Sequence, residues 1–176
     1  DDSDIVRFTP TTLGATTAGT HNFYFDGSDV GLTTNAEDVD AITIAADGRL
    51  VISTLDAFSV TGLAGEDEDL IIFTSTGLGS VTSGSFAMHF DGSDVGLSTN
   101  SSEDVDAAGI TPTGTILIST LGAFSVTGVS GADEDVFQFT PTTLGTNTAG
   151  NFAMFLDLST IGISTGANVN AVEFVP

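Results

Sequence analysis

Apolar and polar residues alternate along most of the chain with a period of two, the spacing of half-buried β-strands. In SFAMHFD, Ser85 to Asp91, the residues Phe86, Met88 and Phe90 share one face, and Ala87 and His89 the other. In AITIAADGRLVIST, Ala41 to Thr54, the pairs Ile42/Ile44 and Leu50/Ile52 flank Asp47-Gly48, a hairpin signature. Enrichment in Ile, Val, Thr and Phe supports strands, and 21 glycines among many Ser and Thr suit short turns. No apolar stripe of 3.6-residue period has useful length. The chain is predicted to be all-β.

The same blocks return in the same order. DIVRFTPTTLG at Asp4 to Gly14 matches DLIIFTSTGLG at Asp69 to Gly79 and DVFQFTPTTLG at Asp135 to Gly145, a spacing of 65 and then 66 residues. FDGSDVGL stands at Phe25 to Leu32 and again, letter for letter, at Phe90 to Leu97. EDVDA recurs at Glu37 and Glu103, and AFSVTG at Ala57 and Ala123. Repeat 1 spans 1–65, repeat 2 spans 66–131, and a shortened repeat 3 spans 132–176. In the third, Asp157 keeps the first acid of the FDGSD turn, Thr160 replaces the second, and NVNA replaces DVDA. Each repeat reads as four strands, near 5–8, 20–25, 39–45 and 49–53 in the first, with a short fifth at 57–60. Four antiparallel strands in a unit of this length fit a propeller blade. Two and a half blades cannot close a ring, so an open array is expected, with a β-solenoid or a β-sandwich as alternatives.

Charge narrows the function. The formal net charge is −22, from 24 acids against Arg7 and Arg49, without a lysine. Such a surface repels phosphates, which excludes nucleic acid and anionic membranes as partners. At 40% hydrophobic the chain still has the apolar content to fold. It has no cysteine, so disulfides, thiol catalysis and zinc-thiolate sites are unavailable. No apolar run is long enough for a helical membrane span. The opening DDSD is compatible with a mature form whose signal peptide has been removed.

The acids are clustered, and the clusters repeat. Twenty of the 24 lie in recurring groups: Asp1, Asp2 and Asp4; Asp26 and Asp29; Glu37, Asp38 and Asp40; Glu66 to Asp69; Asp91 and Asp94; Glu103, Asp104 and Asp106; Asp133 to Asp135. In an antiparallel meander the first strand starts, the second ends and the third starts at one edge. Asp4, Asp26, Asp29, Asp38 and Asp40 then converge on one rim, as do Asp69, Asp91, Asp94, Asp104 and Asp106, with Asp133 and Asp135 in the third copy. Converging carboxylates need raised pKa values or a bound cation. Hard oxygen ligands among glycine and serine suit Ca²⁺, although D-G-S-D is neither an EF-hand loop nor a calcium-binding β-roll repeat. The competing reading is that Asp and Gly form turns and cap backbone amides.

Enzymatic function is not expected. The acid pairs repeat with the fold, which speaks against a glycosidase pair. His21 aligns with Phe86 and His89 with Tyr24, so no histidine site repeats. With no Trp and only Tyr24 as tyrosine, sugar-stacking platforms are scarce.

The series FTPTTLG, YFDGSDVGL, EDVDA, DGRLVIST, AFSVTG resembles a group of bacterial secreted repeat proteins whose units read FTPTSLG, FDGSDVGL and EDVDA in this order. Some of these are similar to cell-surface or matrix proteins with a C-terminal Pro-Glu-Pro sorting signal. The resemblance implies an extracellular or cell-surface location and supplies no functional residues. Together these readings lead to a structural or adhesive protein bridged by Ca²⁺. The alternative is an extracellular module that binds polysaccharide or protein, and a hydrolase comes third. The apolar stretch near Val172 to Val175 lacks the hairpin partner that 50–53 and 116–119 provide earlier. Head-to-tail self-assembly is therefore expected, by strand addition onto residues 5–8 of the next subunit.

Overall fold

The computed structural model describes residues 1–97 and 100–174, and it is all-β. Fourteen strands run in chain order: β1 (Ile5–Thr12), β2 (Ala18–Phe25), β3 (Val39–Ile44), β4 (Leu50–Thr54), β5 (Phe58–Val60), β6 (Leu63–Gly65), β7 (Leu70–Gly77), β8 (Ser83–Phe90), β9 (Ala107–Ile110), β10 (Ile116–Ser119), β11 (Phe124–Val126), β12 (Val129–Gly131), β13 (Val136–Thr143) and β14 (Ala149–Leu156). Four short 3₁₀ turns are the only helical segments among the described residues. The strands found near the expected positions include the β3–β4 hairpin, whose turn closes at Gly48 with φ 86°. The small hairpin strands β6 and β12 were not anticipated, because LAG and VSG carry too few apolar residues to show a period.

Among the described residues all the pairing is antiparallel apart from one isolated bridge, and no sheet closes on itself. Two four-stranded sheets have the orders β3-β4-β7-β8 and β9-β10-β13-β14, while β1-β2, β5-β6 and β11-β12 are separate two-stranded sheets. Sheets and repeats are thus out of phase. The expected meander of four strands within one repeat does not form; the last two long strands of one repeat pair with the first two of the next. The physical cause is the connection after β2 and β8. There the FDGSDVGL turn carries the chain out of one sheet, and the following strand starts the next.

Two apolar clusters hold these layers together. Phe25, Leu32, Leu50, Ile52, Phe58, Val60, Ile71 and Phe73 pack between the first hairpin and one face of the β3-β4-β7-β8 sheet. Val51, Leu70, Ile72, Phe90 and Leu97 leave its other face and meet Ile116, Ile118, Phe137 and Phe139 of the second sheet. Alternate residues of β4 and β7 therefore serve different clusters, and this sheet is buried on both sides. Rings meet edge-on at Phe25–Phe73 (5.2 Å) and again at Phe90–Phe139 (5.1 Å), so the same aromatic contact is made twice.

Candidate functional site: the acidic turns and the junctions between repeats

The octapeptide FDGSDVGL shows what its two copies are built to do. Phe25 and Leu32, like Phe90 and Leu97, are fully buried. Asp26 accepts a hydrogen bond from Ser28 Oγ at 2.7 Å, and Asp91 accepts one from Ser93 Oγ at the same distance. At the third position only glycine fits. A Cβ on Gly27 would lie 2.4 Å from the Ser3 carbonyl oxygen, and one on Gly92 2.5 Å from that of Glu68. The seventh position, Gly31 and Gly96, has φ of 102° and 98°, the left-handed region glycine reaches without a steric penalty.

The fifth residue reaches out of its own repeat. Asp29 Oδ2 accepts from the Thr82 amide at 2.8 Å, and Asp94 Oδ2 accepts from the Thr148 amide at 2.8 Å. Backbone amides of Asp26 and Asp91 donate in return to the hydroxyls of Thr82 and Thr148, both at 2.9 Å. Gly79 N–H donates to the Tyr24 carbonyl, and Gly145 N–H to that of His89. Each octapeptide thus staples itself to the β-hairpin loop of the following repeat. In the third copy, Asp157 still caps its own turn, accepting from Ser159 Oγ at 2.6 Å.

The remaining acids divide by role. Asp4, Asp69 and Asp135 each accept from an amide 23 residues onward, those of Gly27 (3.1 Å), Gly92 (2.9 Å) and Leu158 (3.2 Å). The second oxygens of Asp69 and Asp135 accept from the amides of Glu66 and Ala132, both at 3.1 Å. Burial nevertheless pushes Asp69 up to about 6 against those bonds, helped by the charges of Asp91 and Glu66. Glu37 is buried too, which would raise it, but bonds from Thr33, Ser59 and Thr34 hold it below its ordinary value. Glu37 and Glu103 tie the chain to the small hairpins by accepting from Ser59 and Ser125 amides. At these positions the turn-capping reading accounts for the carboxylates.

Backbone bonds bring the third acidic segment of each repeat beside its first. Val39 N–H donates to the Asp2 carbonyl (3.2 Å), Val105 N–H to that of Asp67 (3.2 Å), and Val169 N–H to that of Asp133 (3.0 Å). The DVD segment, NVN in the third copy, is so pinned beside that repeat's own first acidic turn. Because β3 lies beside β9, Asp40 also faces Asp104 and Asp106 across the junction. Asp104 and Asp106 are each only 2% exposed, and Asp104 Oδ1 and both Asp106 oxygens have no hydrogen-bond donor. Burial pushes Asp104 up to about 8, reinforced by Asp40, Asp67, Asp106 and Asp56, and Asp106 up to about 6. Asn168 stands close enough to favour the charged form of Asp106 without meeting hydrogen-bond geometry. Burial, reinforced by neighbouring Asp67 and Asp69, pushes Glu68 up to about 7, and burial raises half-buried Asp40. Asp38 lies at the rim, where its carbonyl accepts from the Leu55 amide. Sequence reasoning missed that these acids divide into satisfied caps and unsatisfied buried groups. The DxD spacing, two acids on one face of an extended segment around a buried valine, was the available signal.

Two further features belong to the junctions. A cleft of about 540 Å³ lies beside Asp94, Thr148, Asn151 and Phe152, and its counterpart of about 510 Å³ beside Asp29, Thr82, Ser85 and Phe86. Val172 packs against Gly109 of the same chain, its carbonyl oxygen 3.1 Å from the point a Cβ there would occupy, and Glu173 accepts from Thr43 Oγ1 at 3.4 Å. Strand addition by this segment therefore competes with packing inside the chain; Val175 and Pro176 lie outside the described residues. Among those residues no three Asp, Glu, His or Cys side chains already stand at coordinating distance, and no helix is long and apolar enough to cross a membrane. No family model, no curated protein and no solved structure matches this chain.

Proposed function

We propose that the protein is an extracellular, non-enzymatic repeat module with a structural or adhesive role in a cell-surface matrix or filament. Its units of about 65 residues stack like the blades of an open propeller, with Ca²⁺ offsetting the acids that converge between them. The staple made by Asp29–Thr82 and repeated by Asp94–Thr148 carries this reading. It commits the most strongly repeated acidic motif to joining one repeat to the next, the arrangement a load-carrying array requires. The similarity of the repeats to secreted surface proteins favours the same location. Sedimentation and electron microscopy of the purified protein, with CaCl₂ and with chelator, test it. Concentration-dependent polymers or adhesion to cell-surface material are expected. A monomer that adheres to nothing under both conditions would overturn it.

The two equivalent clefts favour a second reading, a module that binds an extended polysaccharide. Their lining of Asp, Thr, Ser or Asn and one Phe recurs once per repeat, as a ligand with its own repeat would need. Binding on a glycan array by unassembled protein would support that reading over the first.

A further inference from the structure

The staple between repeats has two halves, and the chain carries a spare copy of each. One half is a hairpin loop that presents a glycine amide, a threonine amide and a threonine hydroxyl: Gly79 with Thr82, and Gly145 with Thr148. The loop of the β1–β2 hairpin is folded the same way. Thr17 Oγ1 donates to the Gly14 carbonyl at 2.8 Å, as Thr82 does to Gly79 (2.9 Å) and Thr148 to Gly145 (2.8 Å). Gly14 has φ of 104°, beside 114° and 100° at the other two. Yet the bonds that Gly79 and Thr82 make to another repeat have no counterpart at Gly14 and Thr17 among the described residues.

The other half is a β-bulge and the turn that follows it. Tyr24 and His89 fall at register shifts of their hairpins, and their carbonyls accept from the next loop. The same shift recurs at Phe155. The turn after it is kept too: the Thr160 amide donates to Asp157 Oδ1 at 3.3 Å, as that of Asp94 does to Asp91, and Gly162 has φ of 89°. Leu156 and Ile163 occupy the places of Phe25 and Leu32, and of Phe90 and Leu97. Those four are fully buried, whereas Leu156 and Ile163 are exposed.

We propose that these two halves bind each other between copies of the chain, the 155–163 turn of one copy seating on the 13–17 loop of the next. The occupant is fixed by the joint already made twice inside the molecule. In the third joint the Gly14 amide donates to the Phe155 carbonyl, the Asp157 amide donates to the Thr17 hydroxyl, and Thr160 Oγ1 accepts from the Thr17 amide where Asp29 does so internally. Phe25 packs on Phe73 and Phe86 at 5.2 and 6.3 Å. Phe8 and His21 stand in the corresponding places, 4.7 Å apart, beside an open cleft of about 400 Å³ that would receive Leu156. Residues 9–20 carry no charge, and Thr160 has removed one acid from the turn, so a chain of −22 can bring these surfaces together without opposing carboxylates. The contact is heterologous and propagates head to tail. It needs no strand from 172–174, where Val172 packs on Gly109 of its own chain. The inference rests on the structural reading above and names its joint.

Sedimentation equilibrium of the purified chain over a range of concentrations tests it, with two substitutions of opposite sign. Wild type should form a ladder of oligomers. Leu156→Asp sets a charge in the apolar contact and should weaken association at least about tenfold. Melting of the dilute protein should barely change, since Leu156 is exposed in the single chain. Thr160→Asp restores the carboxylate of the internal staples and should tighten association about tenfold, because an ionised acceptor makes the stronger hydrogen bond. Added negative charge by itself would loosen it, so the sign is diagnostic. A monomer at every concentration, wild-type association in Leu156→Asp, or unchanged or weaker association in Thr160→Asp would overturn the joint. Polymers that fail those two tests would still leave the structural reading standing. Closed rings that pass them but neither polymerise nor adhere would keep the joint and overturn that reading.

Discussion

The hairpins β1–β2 and β13–β14 share the run FTPTTLG across first strand and turn, yet have opposite surroundings. In β13 both Phe137 and Phe139 are fully buried, whereas in β1 Val6 is 52% exposed and Phe8 half-buried. The hairpin β7–β8 sides with β13–β14: Ile71 and Phe73 are buried. What differs is the neighbour. β4 pairs with β7 and β10 with β13, while among the described residues no strand pairs with the outer edge of β1. Among the described residues, no counterpart of Asp29 or Asp94 accepts from the loop of the first hairpin. Burial here is conferred by the previous repeat, as in other tandem arrays where each unit completes the next.

The sharpest way to break this comparison is to truncate the same phenylalanine in both settings. Phe73→Ala should cost about 3–5 kcal/mol by denaturant unfolding, because it empties a closed core, and Phe8→Ala about 1 kcal/mol. Equal losses would mean that β1 is covered in solution, as self-assembly onto its edge would bring about.

The next effect is pH dependence in chelator, and it should be confined to the junctions. Asp104, Glu68, Asp69 and Asp106 all have folded pKa values above their unfolded ones. The folded state then binds more protons, so stability falls as pH rises. It should be fully present below about pH 4 and lost progressively as pH rises through about 6 to 8. Glu37, held low, acts in the opposite sense only below its ordinary value, outside that window. Melting temperatures should fall from pH 5 to 8, with hydrogen exchange speeding up at β3, β7 and β9 but not at β1. Saturating Ca²⁺ should flatten the slope.

A smaller loss is expected from Asp29→Ala. It removes the acceptor of the buried Thr82 amide and should cost about 1–3 kcal/mol, with faster exchange in the β7–β8 loop. The second hairpin's outer end would then resemble the first's. Asp157→Ala should change less, since its bonds stay within one exposed turn. Smallest of all, Asp47→Asn breaks only the exposed pair with Arg49 and should leave the melting temperature unmoved.

Much of this was legible in the residues themselves. The period of two marked strands that bury one face, such as β8 and β14, whereas β4 and β7, buried on both faces, read as short apolar runs. Asp47-Gly48 announced its turn because few other residues reach its backbone angles. The repeats announced that each structural solution is used again, and the glycines of FDGSDVGL follow from local sterics alone. Clustered acids implied either caps or a cation, and the caps are present at Asp4, Asp69 and Asp135.

Pairing was another matter. Which strand lies beside β7 depends on where the octapeptide sends the chain, and every repeat offers strands of equal apolar pattern. Only the tertiary structure decided that β4 is the partner. It also separated Asp69, whose two oxygens are bonded to amides, from Asp104, whose oxygen is buried without a donor. Both read simply as aspartates in acidic runs. The difference lies in groups brought from other repeats, and a carboxylate's neighbours across a junction are not written in its own stretch of chain.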